Sequence, residues 1–198
     1  MLPMLPPQDL QHYINLLRRG QLIIYPTDTL YALGADIYNT EALDLLYHLK
    51  SRPQNQAVPI GVSQLNQVKD LVEINSLATQ LATHFLPGPL TLILTTKSSA
   101  PQHLKTQQSL AVRIPNQPIA LQLYDSYGPL TLTSANLHGK QAYNVSEITT
   151  QLNTTIQAID IGNLDGRPST IVDVTQNEPK IIREGPITAQ MIKEQLKQ

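Results

Sequence analysis

The chain is assembled from short apolar runs that alternate with stretches of helical periodicity, and prolines cut several of the runs short. Leu22 to Tyr25 is closed by Pro26, Leu90 to Thr96 follows Pro87-Gly88-Pro89, and Leu110 to Ile114 is closed by Pro115. Runs of this length suit strands better than helices, and a proline cannot continue a ladder, so each reads as a strand that feeds a loop. Val58 to Val62, Leu130 to Thr133, Ile156 to Ile161, Thr170 to Val174 and Lys180 to Arg183 read the same way. Between them, Leu10, Tyr13, Ile14, Leu16 and Leu17 recur at helical spacing until Gly20, and Asn39 or Thr40 caps a helix carrying Ala42, Leu43, Leu45, Leu46 and Leu49. Further helices are expected over Ser63 to Leu71, Ser76 to Phe85 and Pro118 to Tyr127, with a last one capped by Thr188. Such alternation predicts an α/β architecture, with the last strands close enough in sequence to pair antiparallel.

Composition narrows the function classes. Of the 198 residues 41% are hydrophobic, enough for a sizeable core, and no repeat or flexible linker interrupts them, so residues 1–198 read as one domain. No apolar run approaches the roughly 20 residues of a membrane-spanning helix, and no signal-type start is present, which makes a cytoplasmic protein the expectation. The absence of cysteine rules out disulfides, thiol nucleophiles and zinc-thiolate sites. Fourteen basic residues against 15 acidic leave no electrostatic footprint for a nucleic-acid backbone, so any anion must be met by a few converging side chains. The five histidines share no ligand spacing, and no phosphate-loop, dinucleotide or zinc-protease motif occurs, so no metal site is expected. A Ser-His-Asp hydrolase is disfavoured because Ser134 lacks the Gly-x-Ser-x-Gly elbow.

Four segments place polar or cationic residues where strands or helices end, the usual location of ligands in open α/β sheets. Thr27-Asp28-Thr29 offers hydroxyls and a carboxylate to a small polar substrate, although the same residues also stabilise ordinary turns. Lys50 and Arg52 close a helix, where the dipole alone favours cations. Arg113 interrupts an apolar strand, and its charge requires either an anionic ligand or a salt bridge. Thr133-Ser134-Ala135-Asn136 ends a strand in small donors that suit a phosphate or a helix cap.

Taken in order, these segments resemble the YrdC-like domain family of threonylcarbamoyl-AMP synthases. The stretches are Tyr25-Pro-Thr-Asp-Thr-Leu-Tyr-Ala-Leu-Gly34, Lys50-Ser-Arg-Pro53, Pro87-Gly-Pro-Leu-Thr91, Leu110-Ala-Val-Arg-Ile-Pro115, Thr133-Ser-Ala-Asn-Leu137, Ser169-Thr-Ile-Val-Asp173 and Arg183-Glu-Gly-Pro186. The paired signature Lys-x-Arg and Ser-x-Asn is intact as Lys50, Arg52, Ser134 and Asn136. The resemblance implies a twisted, open mixed sheet flanked by helices around a concave ligand cavity, in the short, single-domain form of the family. It also implies the synthesis of threonylcarbamoyl-AMP and pyrophosphate from L-threonine, bicarbonate and ATP, the first step of a tRNA threonylcarbamoyladenosine modification. Mg2+ would arrive with the ATP, without dedicated protein ligands. On this resemblance Lys50, Arg52, Ser134 and Asn136 are catalytic; these four, with Ser109 and Arg183, bind ATP; and Thr27, Arg113 and Thr133 bind L-threonine. A downstream threonylcarbamoyl-transferase complex, and at most weak contact with tRNA, complete the implied partners. The rivals are an RNA-binding protein without catalysis and a divergent paralogue with another substrate. Four positions depart from the family pattern: Ala57 stands where many relatives have Pro, Ala142 where many have Ser, Gly61 where some place a His that helps hold threonine, and, as a milder change, Asp28 stands for Glu in the first motif. Lys50→Ala and Arg52→Ala are expected to lower turnover with little loss of stability.

Overall fold

The computed structural model describes residues 4–51, 53, 58–105, 108–137, 140–164 and 166–197. Helix α1 (Pro7–Arg18) starts on a proline, whose fixed φ suits the first helical turn, and buries Ile14 and Leu17. Strands β1 (Ile23–Tyr25) and β2 (Ala32–Gly34) follow, both fully buried. In α2 (Thr40–Leu49) the Asn39 side chain accepts from the Ala42 amide at 3.0 Å, which settles the cap on Asn39. Next come β3 (Ile60–Gly61), α3 (Ser76–Phe85), β4 (Leu90–Thr95), α4 (Gln102–Lys105), β5 (Ser109–Arg113) and α5 (Pro118–Ser126). The chain continues through β6 (Leu130–Thr131), β7 (Thr133–Ser134), α6 (Val145–Leu152), β8 (Gln157–Ala158), β9 (Thr170–Asp173), β10 (Lys180–Arg183) and α7 (Ala189–Gln195).

The helix expected from Ser63 to Leu71 is a single 3₁₀ stretch, Leu65–Val68. Leu65, Val68 and Leu71 repeat every third residue, which matches three residues per turn better than 3.6. The Gln67 side chain pins the segment by accepting from the Ser63 amide at 2.8 Å and donating to the Tyr124 carbonyl at 2.9 Å. Helix α6 was not expected, since only Val145, Ile148 and Leu152 in it are apolar. Its start is held by a reciprocal cap: Asn144 Oδ1 accepts from the Glu147 amide, and the Glu147 carboxylate accepts from the Tyr143 amide.

The expected mixed sheet flanked by helices is present, with its strands shared between two sheets of order β7-β2-β1-β8 and β10-β9-β4-β5-β3-β6. β9 and β10 pair antiparallel, as their closeness in sequence suggested. The strand read from Leu130 to Thr133 divides at Leu132: β6 joins the larger sheet and β7 the smaller. The Leu132 amide itself donates to the Pro59 carbonyl at 2.6 Å.

Three apolar clusters fix the layers. The smaller sheet is covered on one face by residues of α2 and α6, including Leu46 and Ile148, and on the other by residues of α1 and α5, including Leu17 and Leu123. The larger sheet buries Leu90, Leu92, Leu94, Leu110, Val112 and Val172 against α3 and α7. Its opposite face is only partly covered: Ile93, Thr95, Ser109, Ala111, Ile171 and Asp173 alternate with those core positions and are half-buried. This half-open face carries the candidate site. Among the described residues no helix is long and apolar enough to cross a membrane.

Candidate active site

Arg113 ends β5 on the half-open face, in line with Ala111 and Ser109. Its strand partner on β3 is Gly61, and it directly follows the Val112–Leu92 pair with β4. On the far side of the sheet Arg183 pairs with Ile171, which in turn pairs with Thr91. One transverse row therefore runs from Arg183 through Ile171 and Thr91 to Arg113 and Gly61.

Three groups hold the buried Arg113 guanidinium. Nε donates to the Gly88 carbonyl at 3.0 Å, one terminal nitrogen to Thr29 Oγ1 at 2.9 Å, and the other to Asp28 Oδ1 at 2.6 Å. Burial lowers the Arg113 pKa from its ordinary value, and the Asp28 charge opposes that shift. The Pro87-Gly-Pro break is docked from its other side as well, since the Gly88 amide donates to the Ile114 carbonyl at 2.8 Å. Arg183 donates twice to the Ser169 carbonyl, at 3.0 and 2.7 Å, and Ser169 Oγ lies 2.9 Å from Thr91 Oγ1. Its pKa is also lowered, first by burial and then by the positive charge of Arg113. Two guanidinium groups thus sit within electrostatic reach of each other, an arrangement that an anion between them would relieve.

The loop after β1 is organised by the Thr27 hydroxyl. It donates to the Leu30 carbonyl at 2.6 Å and accepts from the Thr29 and Leu30 amides, both at 3.1 Å. It also lies 3.0 Å from Thr29 Oγ1, which accepts from Arg113. Thr27 is 3% exposed, so its hydroxyl is committed to holding the loop that presents Asp28 and Thr29 to Arg113.

Lys50 terminates α2, and its ammonium donates to the main-chain oxygens of Ser134, at 2.6 Å, and of Asn136. The Ser-x-Asn loop is joined to the first loop through the Ala135 amide, which donates to the Tyr31 carbonyl at 2.8 Å. Thr133 pairs with Leu33 and Ser134 with Ala32, so β2 carries both loops to the same end of the smaller sheet. The Asn136 amide nitrogen donates to the Lys140 carbonyl, whereas its oxygen is buried with no hydrogen-bond partner among the described residues.

The sequence-derived residues therefore fall into three groups: Lys50 with Ser134 and Asn136; Thr27, through Thr29, with Arg113; and Arg183 with Arg113. Ser109 shares the face of Arg113 but starts the strand that Arg113 ends, roughly 13 Å away at the usual strand rise. Arg52 and Ala57 lie outside the described residues. Sequence reasoning did not single out Ser169 or Thr91 as site residues; a serine before a strand is an ordinary turn residue, and only the family motif marked its segment. The pairing of Asp28 with Arg113 was equally hidden, because 85 positions separate them. Among the described residues no three metal-ligating side chains converge.

Gly61 is required by a contact. A Cβ built on it would overlap the Tyr124 hydroxyl. That hydroxyl lies 2.9 Å from the Tyr25 hydroxyl, which donates to the Thr131 carbonyl at 2.8 Å, so Tyr124 is the donor between the two phenols. Burial raises the pKa of both. The space beside position 61 is thus taken by Tyr124 of α5.

The family profile described as "Telomere recombination", covering Sua5, YciO and YrdC, matches residues 15–185. The chain belongs to the Sua5/YciO/YrdC family. A Methanocaldococcus jannaschii relative is 36% identical over 176 residues, 87% of this chain and 84% of its own. A Bacillus subtilis protein named threonylcarbamoyl-AMP synthase is 34% identical over 188 residues, 89% of this chain but 53% of its own length. Among solved structures, Pyrococcus abyssi Sua5 complexed with L-threonine superposes with a TM-score of 0.90 at 29% identity, covering 99% of this chain and 59% of that one. Escherichia coli YciO superposes with a TM-score of 0.83 at 27% identity over 94% of each chain. This Sua5/YciO/YrdC chain thus matches some relatives over most of their length and others over little more than half.

Proposed function

We propose that this chain is an L-threonylcarbamoyladenylate synthase, a nucleotidyltransferase that converts L-threonine, bicarbonate and ATP into threonylcarbamoyl-AMP and pyrophosphate. The observation that carries the reading is the row that sets Arg113 and Arg183 on one half-open sheet face, each depressed in pKa by burial and Arg183 further by its neighbour's charge. Relatives named threonylcarbamoyl-AMP synthase support the reading, as does the solved relative bound to L-threonine.

In this reading the threonine nitrogen and bicarbonate form a carbamate with loss of water and a proton. A carbamate oxygen then bonds the α-phosphorus, and the bond from that phosphorus to the oxygen bridging to the β-phosphate breaks. Such a transfer needs alignment and charge neutralisation more than covalent help. Arg183, Lys50 and Arg52 supply positive charge to the phosphates, and Ser134 and Asn136 supply donors to the α-phosphate. Ser109, along the same face, meets the nucleoside end. The two N–H groups of Arg113 without partners among the described residues match the two oxygens of the threonine carboxylate. Thr133 lines the amino-acid side, and Thr27 contributes by shaping the loop.

With no three metal-ligating side chains converging among the described residues, Mg2+ fits as an ion carried by phosphate oxygens and water. Residues 1–198 serve as one catalytic domain whose ligand cavity is the half-open face. The product passes to a threonylcarbamoyl transferase acting on tRNA in the cytoplasm, with at most weak tRNA contact by this chain. The test is pyrophosphate release with each substrate omitted in turn: release is expected only with all three, and release that persists without threonine would overturn the assignment.

A further inference from the structure

The geometry points to Asp28 as the residue that binds the substrate's ammonium group, so that Asp28 and Arg113 read L-threonine as a zwitterion. This inference rests on the proposed synthase reading and adds a binding residue to it.

A free amino acid carries a carboxylate and an ammonium on one carbon. A pocket that selects for both charges needs one cation and one anion side by side. Arg113 and Asp28 are such a pair, joined at 2.6 Å. Their two halves are unequally covered: the Asp28 side chain is 14% exposed and that of Arg113 5%. The carboxylate is the more accessible member. Its Oδ1 is held by Arg113, whereas Oδ2 has no hydrogen-bond partner among the described residues and is not among their buried unpaired atoms. On the cation, three of the five N–H groups are engaged among the described residues, which leaves two. The pair thus offers two donors and one acceptor oxygen next to each other.

The Thr27 hydroxyl fixes the backbone of residues 27–30, and Thr29 bonds Arg113 independently of Asp28. Arg113 also keeps its bond to the Gly88 carbonyl. The guanidinium is therefore oriented by two neutral groups besides Asp28, so the carboxylate is not needed merely to aim it. An ammonium at Oδ2 would share the Asp28 charge with Arg113 and bring the amine to the same side as the α-carboxylate, a geometry that a hydroxy acid lacking nitrogen cannot use.

The experiment is a cycle between protein and ligand: the affinities of L-threonine and of (R)-3-hydroxybutyrate, its analogue without the amine, measured by calorimetry on the wild-type chain, Asp28→Asn and Asp28→Glu. A charge-assisted bond implies that the wild type prefers threonine by about 10- to 100-fold, and that Asp28→Asn brings the two ligands within about threefold of each other. Asp28→Glu, which keeps the charge, retains the preference. Equal weakening of both ligands in Asp28→Asn would show Asp28 to be structural and overturn the clamp, leaving the synthase reading intact. If Asp28→Asn does not fold, the wild type still decides, because equal binding of the two ligands would exclude an ammonium site. Failure of the wild type to bind threonine at all would remove the synthase reading and the clamp together.

Discussion

The Lys50 ammonium donates to the Ser134 main-chain oxygen at 2.6 Å, so the cation that closes α2 also fixes the loop that ends β7. Lys50 is 8% exposed and bonds the Asn136 carbonyl as well. Its removal costs charge-assisted hydrogen bonds of about 1.5–3 kcal/mol each at most. For Lys50 these bonds argue for a larger loss of stability than the little loss expected from the sequence. Lys50→Ala should lower pyrophosphate release by roughly 100-fold or more and also lower the melting temperature by several degrees. Turnover and thermal denaturation on the same preparation check both; unchanged turnover would return Lys50 to a structural role.

Arg113→Lys should behave almost as badly as Arg113→Ala toward threonine, because an ammonium cannot keep the bonds to Gly88, Thr29 and Asp28 and still present a fork. The expected result is a rise in the KM for threonine of roughly 100-fold with a smaller change in the KM for ATP. Initial rates over both substrates make the comparison.

Arg183 carries the opposite signature. Its charge sits against that of Arg113, so Arg183→Gln loses bonds to Ser169 but relieves repulsion. The ligand-free melting temperature should shift by no more than a few degrees, while the stabilisation conferred by ATP or pyrophosphate is largely lost. Thermal shifts with and without pyrophosphate read this directly.

Gly61→Ala should destabilise the protein by about 1–3 kcal/mol, the usual cost of overpacking, because the Tyr124 hydroxyl must leave its bond to Tyr25. Tyr124→Leu alone should also destabilise, but the double variant should be more stable than the sum of the two losses implies. Denaturant unfolding of the four proteins measures the coupling.

Tyr31 ties the first loop to the 160–162 segment by donating to the Gly162 carbonyl at 2.8 Å and accepting from the Ile161 amide at 2.9 Å. Burial pushes its pKa up to about 12. A phenol whose folded pKa is raised contributes stability that is complete below about pH 10 and is lost as pH rises toward 12. The melting temperature should therefore fall over that interval, and the fall should be shallower in Tyr31→Phe.

Periodicity carried the elements whose apolar residues decide their own packing. Helix α3 and strands β4 and β5 match their sequence patterns to within a residue, because their alternation records which face meets the core. What local pattern could not express was the choice between partners. Leu130 to Thr133 is a single apolar run, and only tertiary pairing divides it; Ala32-Leu33-Gly34 is a strand because Tyr25 and Ser134 flank it, not because of its composition. The candidate site shows the same division. Lys50, Arg113 and Ser134 were visible as charges or small donors at element ends. The commitment of the Thr27 hydroxyl to its own loop, the ion pair of Asp28 and the Tyr124 contact that imposes Gly61 all depend on groups distant in sequence.

Leu132 gives the molecule a mechanical property. It is the lone residue between a strand of one sheet and a strand of the other, and its amide is anchored to Pro59. Its neighbour Thr131 is bound from both directions, its hydroxyl accepting from the Ala35 amide and donating to the Leu33 carbonyl. Sliding one sheet past the other would have to break this seam, in which no spare residue can absorb the movement. The candidate residues at Ser134 on the smaller sheet and at Arg113 on the larger are thus linked through a seam that a single residue spans.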